Sequence, residues 1–152
     1  MQVQVEIKGV EQIVRALERF AQKGESVSEV LEEAVGRPIY NATKKAFDTK
    51  TSPFGQRWQA LKASTLKAKK GKGSTLIHKG KLNESLDYTV MGSKLFVGVN
   101  AQRKGFQYGL THQFGNKKVP ARAFLPIDKE GNMPDLILSQ IEQNLLEWFR
   151  DE

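Results

Sequence analysis

An α+β fold, with N-terminal helices and a C-terminal helix packed on an antiparallel sheet, follows from three observations. The first third of the chain carries apolar residues at helical spacing. The middle holds two short alternating runs joined by Gly92-Ser93, a two-residue hairpin signal with glycine at the first turn position. The last stretch, 133–149, returns to helical spacing. Helices, then a sheet, then a helix fit helices gathered on one sheet face. At 152 residues the chain reads as one domain, 1–152, large enough to bury a core.

Each element has a local cause. Val3, Val5 and Ile7 alternate with polar residues, as in a half-buried strand. Val10, Ile13, Val14, Leu17, Phe20 and Ala21 give a helical stripe, and Gly24 stands where a helix C-cap belongs. Ser26 and Glu29 form a capping-box pattern that opens a second helix. Its apolar face carries Val30, Leu31, Ala34 and Val35, and Gly36 and Pro38 should break or kink it. Ile39, Ala42, Ala46 and Phe47 continue the stripe. Asp48–Gly55 is turn-rich, and Ser64–Lys70 reads as a short helix capped by Ser64.

Leu86–Met91 and Lys94–Val99 read as the hairpin strands. Gln107–Phe114 alternates again, with Tyr108, Leu110, His112 and Phe114 on one face, and reads as extended. Val119–Ile127 is proline-punctuated and partly extended. In the final helix Pro134 fits the first turn, and Ile137, Ile141, Leu145 and Trp148 form the stripe.

Composition removes several function classes. Cysteine is absent, which excludes disulfides and thiolate metal sites and fits assembly in a reducing cytoplasm. There is no apolar run near the length of a membrane span, and Met1–Gly9 lacks the pattern of a secretory signal. The net charge is +7, unevenly placed. Residues 1–36 hold four Lys/Arg and seven Asp/Glu, residues 37–127 eighteen and three, residues 128–152 two and seven. A basic middle between acidic ends can attract nucleic acid by counterion release, or mate with an acidic protein surface or a neighbouring copy. Lys67, Lys69, Lys70, Lys72, Lys79 and Lys81, set among glycines, predict a mobile basic loop over about 67–81.

Catalytic and metal signatures are missing. The two histidines, His78 and His112, are far apart, and no zinc-site spacing occurs. Gly71–Thr75 (GKGST) lacks the order of a phosphate-binding loop. The basic middle holds only Asp48, Glu84 and Asp87 as acids, and no elbow motif marks a nucleophile. His112 could be a general base or ligand beside Gln113. The favoured reading is a half-buried histidine bonded to backbone. Arg122 reads either as a surface arginine with a packed stem or as an interface anchor. Trp58 and Phe54 read as core or loop-anchoring residues rather than ligand platforms. No catalytic residue, metal ligand or cofactor is expected.

Five pieces in order carry a resemblance. They are Phe47 through Ser52-Pro53-Phe54-Gly55, Trp58, Leu61, Ser64-Thr65 and Lys69; Leu76, Gly80, Leu82 and Ser85; Val97-Gly98; Tyr108 with His112-Gln113-Phe114-Gly115; and Pro120-Ala121-Arg122 with Phe124-Leu125. Together they resemble the phage virion morphogenesis family, the tail completion proteins, from about Phe47 to Pro126. His78-Lys79 departs from the family's usual acid or Asn followed by Thr, and Ala123 stands where proline is common.

The resemblance implies a non-enzymatic virion component that completes the tail end and enables head–tail joining. It would act in the virion neck after assembly in the host cytoplasm. Its partners would be itself, as a ring that is commonly hexameric in similar neck proteins, and the tail tube, terminator and neck proteins. Non-specific contact with DNA is a further expected partner, and no membrane is implied. Trp58, Gly80, Leu82, His112, Gln113, Phe114, Gly115, Pro120, Arg122 and Phe124 become the motif and interface candidates. The alternative reading is a basic nucleic-acid-binding module acting through 37–127. An enzyme centred on His112 ranks last.

Overall fold

The computed structural model describes residues 11–22, 27–70, 81–91, 94–99 and 108–150. In chain order it contains helices α1 (Glu11–Gln22) and α2 (Val27–Val30), a π-helical turn (Leu31–Gly36), and helices α3 (Arg37–Thr49), α4 (Ala63–Lys69) and α5 (Lys81–Glu84). Strands β1 (Leu86–Met91) and β2 (Lys94–Val99) follow, then helices α6 (Tyr108–Phe114) and α7 (Asp135–Arg150). The fold is α+β, and its sheet is the two-stranded antiparallel pair β1–β2 among the described residues. The expected strand Val3–Ile7, the caps at Gly24 and Ser26, and the Gly92-Ser93 turn lie outside the described residues.

The chain forms two compact units. The first comprises residues 1–41, 88–97 and 126–152. Its core gathers Val30, Ala34, Ile39, Met133, Ile141 and Leu145, with Leu17, Val35, Val97, Ile137 and Trp148 packed around them. Most of these are apolar positions of α1, α2, the π turn, the start of α3, and α7, with α7 packed on the π turn and α1 on α2. Val14, read into the α1 stripe, is instead exposed.

The helix around Gly36 and Pro38 does not break. It widens into a π turn, in which the Arg37 N–H reaches back five residues to the Glu32 carbonyl. The cause is the proline, which has no N–H to give the Ala34 carbonyl four residues earlier. That carbonyl accepts the Asn144 side-chain amide from α7 at 3.2 Å. Gly36 is required for a different reason. A Cβ there would lie 2.9 Å from the Tyr88 ring and 3.2 Å from Leu95, so only hydrogen admits the hairpin this closely. The Tyr88 ring in turn packs against Tyr40, with centroids 5.4 Å apart.

α7 starts one residue after Pro134, whose carbonyl accepts the N–H groups of Ile137 and Leu138. Proline therefore caps the helix rather than occupying its first turn. The preceding bend is tied by Asp128, whose carboxylate accepts the N–H groups of Glu130 and Asn132. These bonds, that from Asn132 foremost, hold the Asp128 carboxyl below its usual range.

The second unit comprises residues 42–87 and 98–125. Its core is Ala46, Phe47, Trp58, Leu82 and Phe124, with Val99 and Leu125 beside it. Phe47 stacks on Phe124 at 5.2 Å and meets the Trp58 ring edge-on at 5.8 Å. A buried side chain of this size contributes roughly 1.5–3 kcal/mol relative to exposure.

Two expectations fail here. The stretch ending in Phe114 is helix α6, not a strand. Its buried positions are Gly109 and Gln113, four apart, with His112 half-buried and Leu110 exposed. A reading that assigns glycine and glutamine to the solvent side sees period two where the packing has helical period. Gly109 packs so closely on Val99 that a Cβ there would lie 2.6 Å from its Cγ2, so glycine suits this buried position. Nor does Ser64 cap α4. The N-cap is Lys62, extended and without a side-chain cap bond, and its carbonyl accepts the Thr65 N–H.

Candidate functional site

The described motif candidates lie in the second unit, Leu82 on α5 and the others on three chain segments: the loop 50–61, α6 with its exit turn, and the irregular stretch 119–125. The loop 50–61 and the stretch 119–125 lie outside helices and strands, and polar side chains supply part of their backbone hydrogen bonding.

The loop 50–58 begins where α3 ends. Lys50 has positive φ, and its ammonium donates to the Phe47 carbonyl at the helix terminus. Desolvation lowers the Lys50 pKa, with the opposing pull of Asp48 second. A bridge pairs Thr51 with Arg57 in antiparallel fashion. Ser52 Oγ accepts the N–H groups of Phe54 and Gln56, and the Ser52 N–H donates to the Gln56 carbonyl at 2.7 Å. Gly55, at φ +91°, turns the tip, leaving Phe54 and Arg57 exposed.

Trp58 is buried, and its indole N–H donates to the Ala123 carbonyl at 2.8 Å. Arg122, also buried, sends Nε to the Gln59 carbonyl at 2.9 Å and Nη2 to the Ala60 carbonyl at 3.4 Å. Burial lowers its pKa from the ordinary guanidinium value. Arg122 thus ties the 119–125 stretch to the 50–61 loop through main chain alone.

Gln113 is the third tie. Its Oε1 accepts the N–H groups of both Phe124 and Leu125 at 2.9 Å, and its Nε2 donates to the Leu125 carbonyl at 3.1 Å. One buried amide serves three backbone groups of the opposite segment. Beside it, the Arg122 N–H donates to the His112 carbonyl at 2.7 Å. α6 exits through Gly115 at φ +71°, where a Cβ would lie 2.7 Å from the Ala121 nitrogen and 2.9 Å from the Val119 oxygen. Asn116 closes the turn, its Oδ1 accepting from Lys118 and Val119.

Of the sequence candidates, Trp58, Leu82, Gln113, Arg122 and Phe124 are buried. His112, Phe114, Gly115 and Pro120 are half-buried. Gly80 lies outside the described residues, as do His78, Lys72 and Lys79. Lys69 belongs to α4 and Lys81 to α5, while Lys67 and Lys70 are exposed. Sequence reading placed Ser52 in a turn but missed Asn116, though a short polar residue beside glycine is the ordinary signal for such a turn.

The arrangement is a clasp, in which the side chains of Ser52, Trp58, Gln113, Asn116 and Arg122 bond to backbone. Among the described residues no group of three or more His, Cys, Asp or Glu gathers as metal ligands would. No helix among them is long and apolar enough to cross a membrane.

Charge divides between the two units. Residues 1–41, 88–97 and 126–152 hold eight Lys/Arg against fourteen Asp/Glu, a net of −6. The remaining residues hold sixteen against three, a net of +13. Exposed carriers in the second unit include Lys44, Lys45, Arg57, Lys62, Lys117 and Lys118.

No curated protein and no solved structure matches the chain. The model of the phage virion morphogenesis family matches residues 8–145, which span both units. That family is a structural one, concerned with building the particle. The match over nearly the whole length shows that this chain belongs to the phage virion morphogenesis family, with a role in phage virion assembly.

Proposed function

We propose that the protein completes the end of the phage tail and enables head–tail joining, acting as a ring-like homo-oligomer in contact with tail tube, terminator and neck proteins. It assembles in the host cytoplasm and ends in the neck of the virion. The observation that carries this reading is family membership over residues 8–145. The sorting of charge into a cationic and an anionic unit supports it. A ring joins unlike faces of successive copies, and opposite charge on unlike faces favours that contact. The clasp supports it too, because a unit whose Trp58, Arg122 and Gln113 side chains are engaged with main chain is suited to presenting a surface rather than to turning over a substrate.

Electron microscopy of an induced lysate lacking the gene tests the proposal. Full heads beside separate or aberrantly ended tails are expected. Intact, infectious particles would overturn it.

A second reading, contact with the DNA backbone, is favoured by the net +13 of one unit. Counterion release would then set the affinity, with a steep loss as salt rises. Replacing Lys69, Lys70 and Lys72 by Glu should block head–tail joining while leaving the folded state unchanged by circular dichroism. Normal virion yield would show that these lysines meet neither DNA nor an acidic partner.

A further inference from the structure

Helix α7 presents an outer face unlike that of an ordinary solvated helix. Leu136 is 84% exposed and Leu146 59% exposed. They lie on the face opposite Ile141 and Leu145, roughly 15 Å apart along the axis. Ser139 and Gln143 lie exposed between them, so the strip carries no charge over its central turns. Its rim is acidic, with Asp135, Glu142 and Glu147 exposed. Solvated faces place charge where this one places leucine and amide.

The second unit holds a feature of matching chemistry. The tip of the 50–58 loop exposes Phe54, at 39%, next to Arg57. Four backbone or hydroxyl hydrogen bonds and the Thr51–Arg57 bridge fix that tip. An aromatic and an arginine held in advance lose little conformational freedom on docking.

We infer that the Phe54–Arg57 loop tip of one copy docks on the Leu136–Leu146 face of α7 in a second copy. The inference rests on the ring-like oligomer proposed above and names its contact. Charge selects the occupant. The unit bearing the tip nets +13 and the unit bearing α7 nets −6, so Arg57 meets a carboxylate rim. Packing α7 against α7 of another copy would instead oppose Glu142 and Glu147 to themselves. The two surfaces differ, so the contact is heterologous and repeats from copy to copy, as a ring requires.

The chain has no cysteine, so engineered cysteines report without background. Full-length F54C and L146C proteins are mixed under mild oxidation, purified and in a virion-assembling lysate, and the double variant F54C/L146C is treated alike. A mixed 54–146 product about tenfold above either like-with-like product is expected from a specific contact, with a ladder from the double variant. R57E should suppress the product, and adding E142K and E147K should restore it. A yield no greater than the single-cysteine controls, or L146C linking only to a different protein, would overturn the inference. The gene-deletion phenotype does not depend on this contact. Separated tails without a 54–146 link would sink the docking and leave the assembly role, and a link with intact particles would do the reverse.

Discussion

Gln113→Leu should destabilise the protein by about 3–5 kcal/mol, a large share of the stability of an ordinary domain. The substitution nearly conserves volume and keeps the residue buried, so packing is not what is lost. What is lost is an acceptor for the Phe124 and Leu125 N–H groups and a donor to the Leu125 carbonyl. Leucine offers them nothing and still keeps water away. Each orphaned buried group costs roughly 1–3 kcal/mol. Urea unfolding checks the value. Gln143→Leu on the exposed face of α7 serves as the control and should change stability by no more than about 0.5 kcal/mol. Equal effects at the two positions would mean that the clasp contributes little.

Gly115→Ala should cost about 3 kcal/mol or more, and Gly55→Ala only about 1–2 kcal/mol. Both glycines have positive φ, so alanine carries the same kind of conformational penalty at either. They differ in space. Nothing lies within 4 Å of a Cβ built at Gly55, whereas at Gly115 it meets the backbone of Val119 and Ala121 under 3 Å. Backbone cannot rotate aside as a side-chain end can, so the 119–121 stretch would have to move away from α6. That movement would disturb the Arg122–His112 bond and the Gln113 ties together. Comparing the two variants by urea unfolding separates the conformational cost from the steric one. Equal losses would refute the steric part.

These two residues also show where sequence reading reaches its limit. The stripes of α3 and α7 and the hairpin strands were legible because the burial of their apolar residues follows a fixed period. α6 was not legible, because its buried face is made of Gly109 and Gln113, residues that hydropathy assigns to solvent. Pro38 marked an irregularity in the helix, but the group that receives the Ala34 carbonyl is Asn144, 110 residues away, and no local pattern contains that information. The motif residues were legible as a set in order, through resemblance. Their use was not, since Trp58 and Arg122 find their partners 62 to 65 residues away.

The clasp recognises main chain. Trp58 bonds the carbonyl of residue 123, Arg122 those of 59 and 60, and Gln113 the amides and carbonyl of 124 and 125. Every amino acid, proline included, supplies a carbonyl. Position 123 can therefore hold the alanine found here or the proline common in the family without altering the tie from Trp58. Exposed positions such as 59 and 60 are equally unconstrained in side-chain identity. A lineage could rewrite the outward chemistry of these loops to suit a new neighbour while the frame beneath stays the same, so adaptation to different virions need not be a trade against folding.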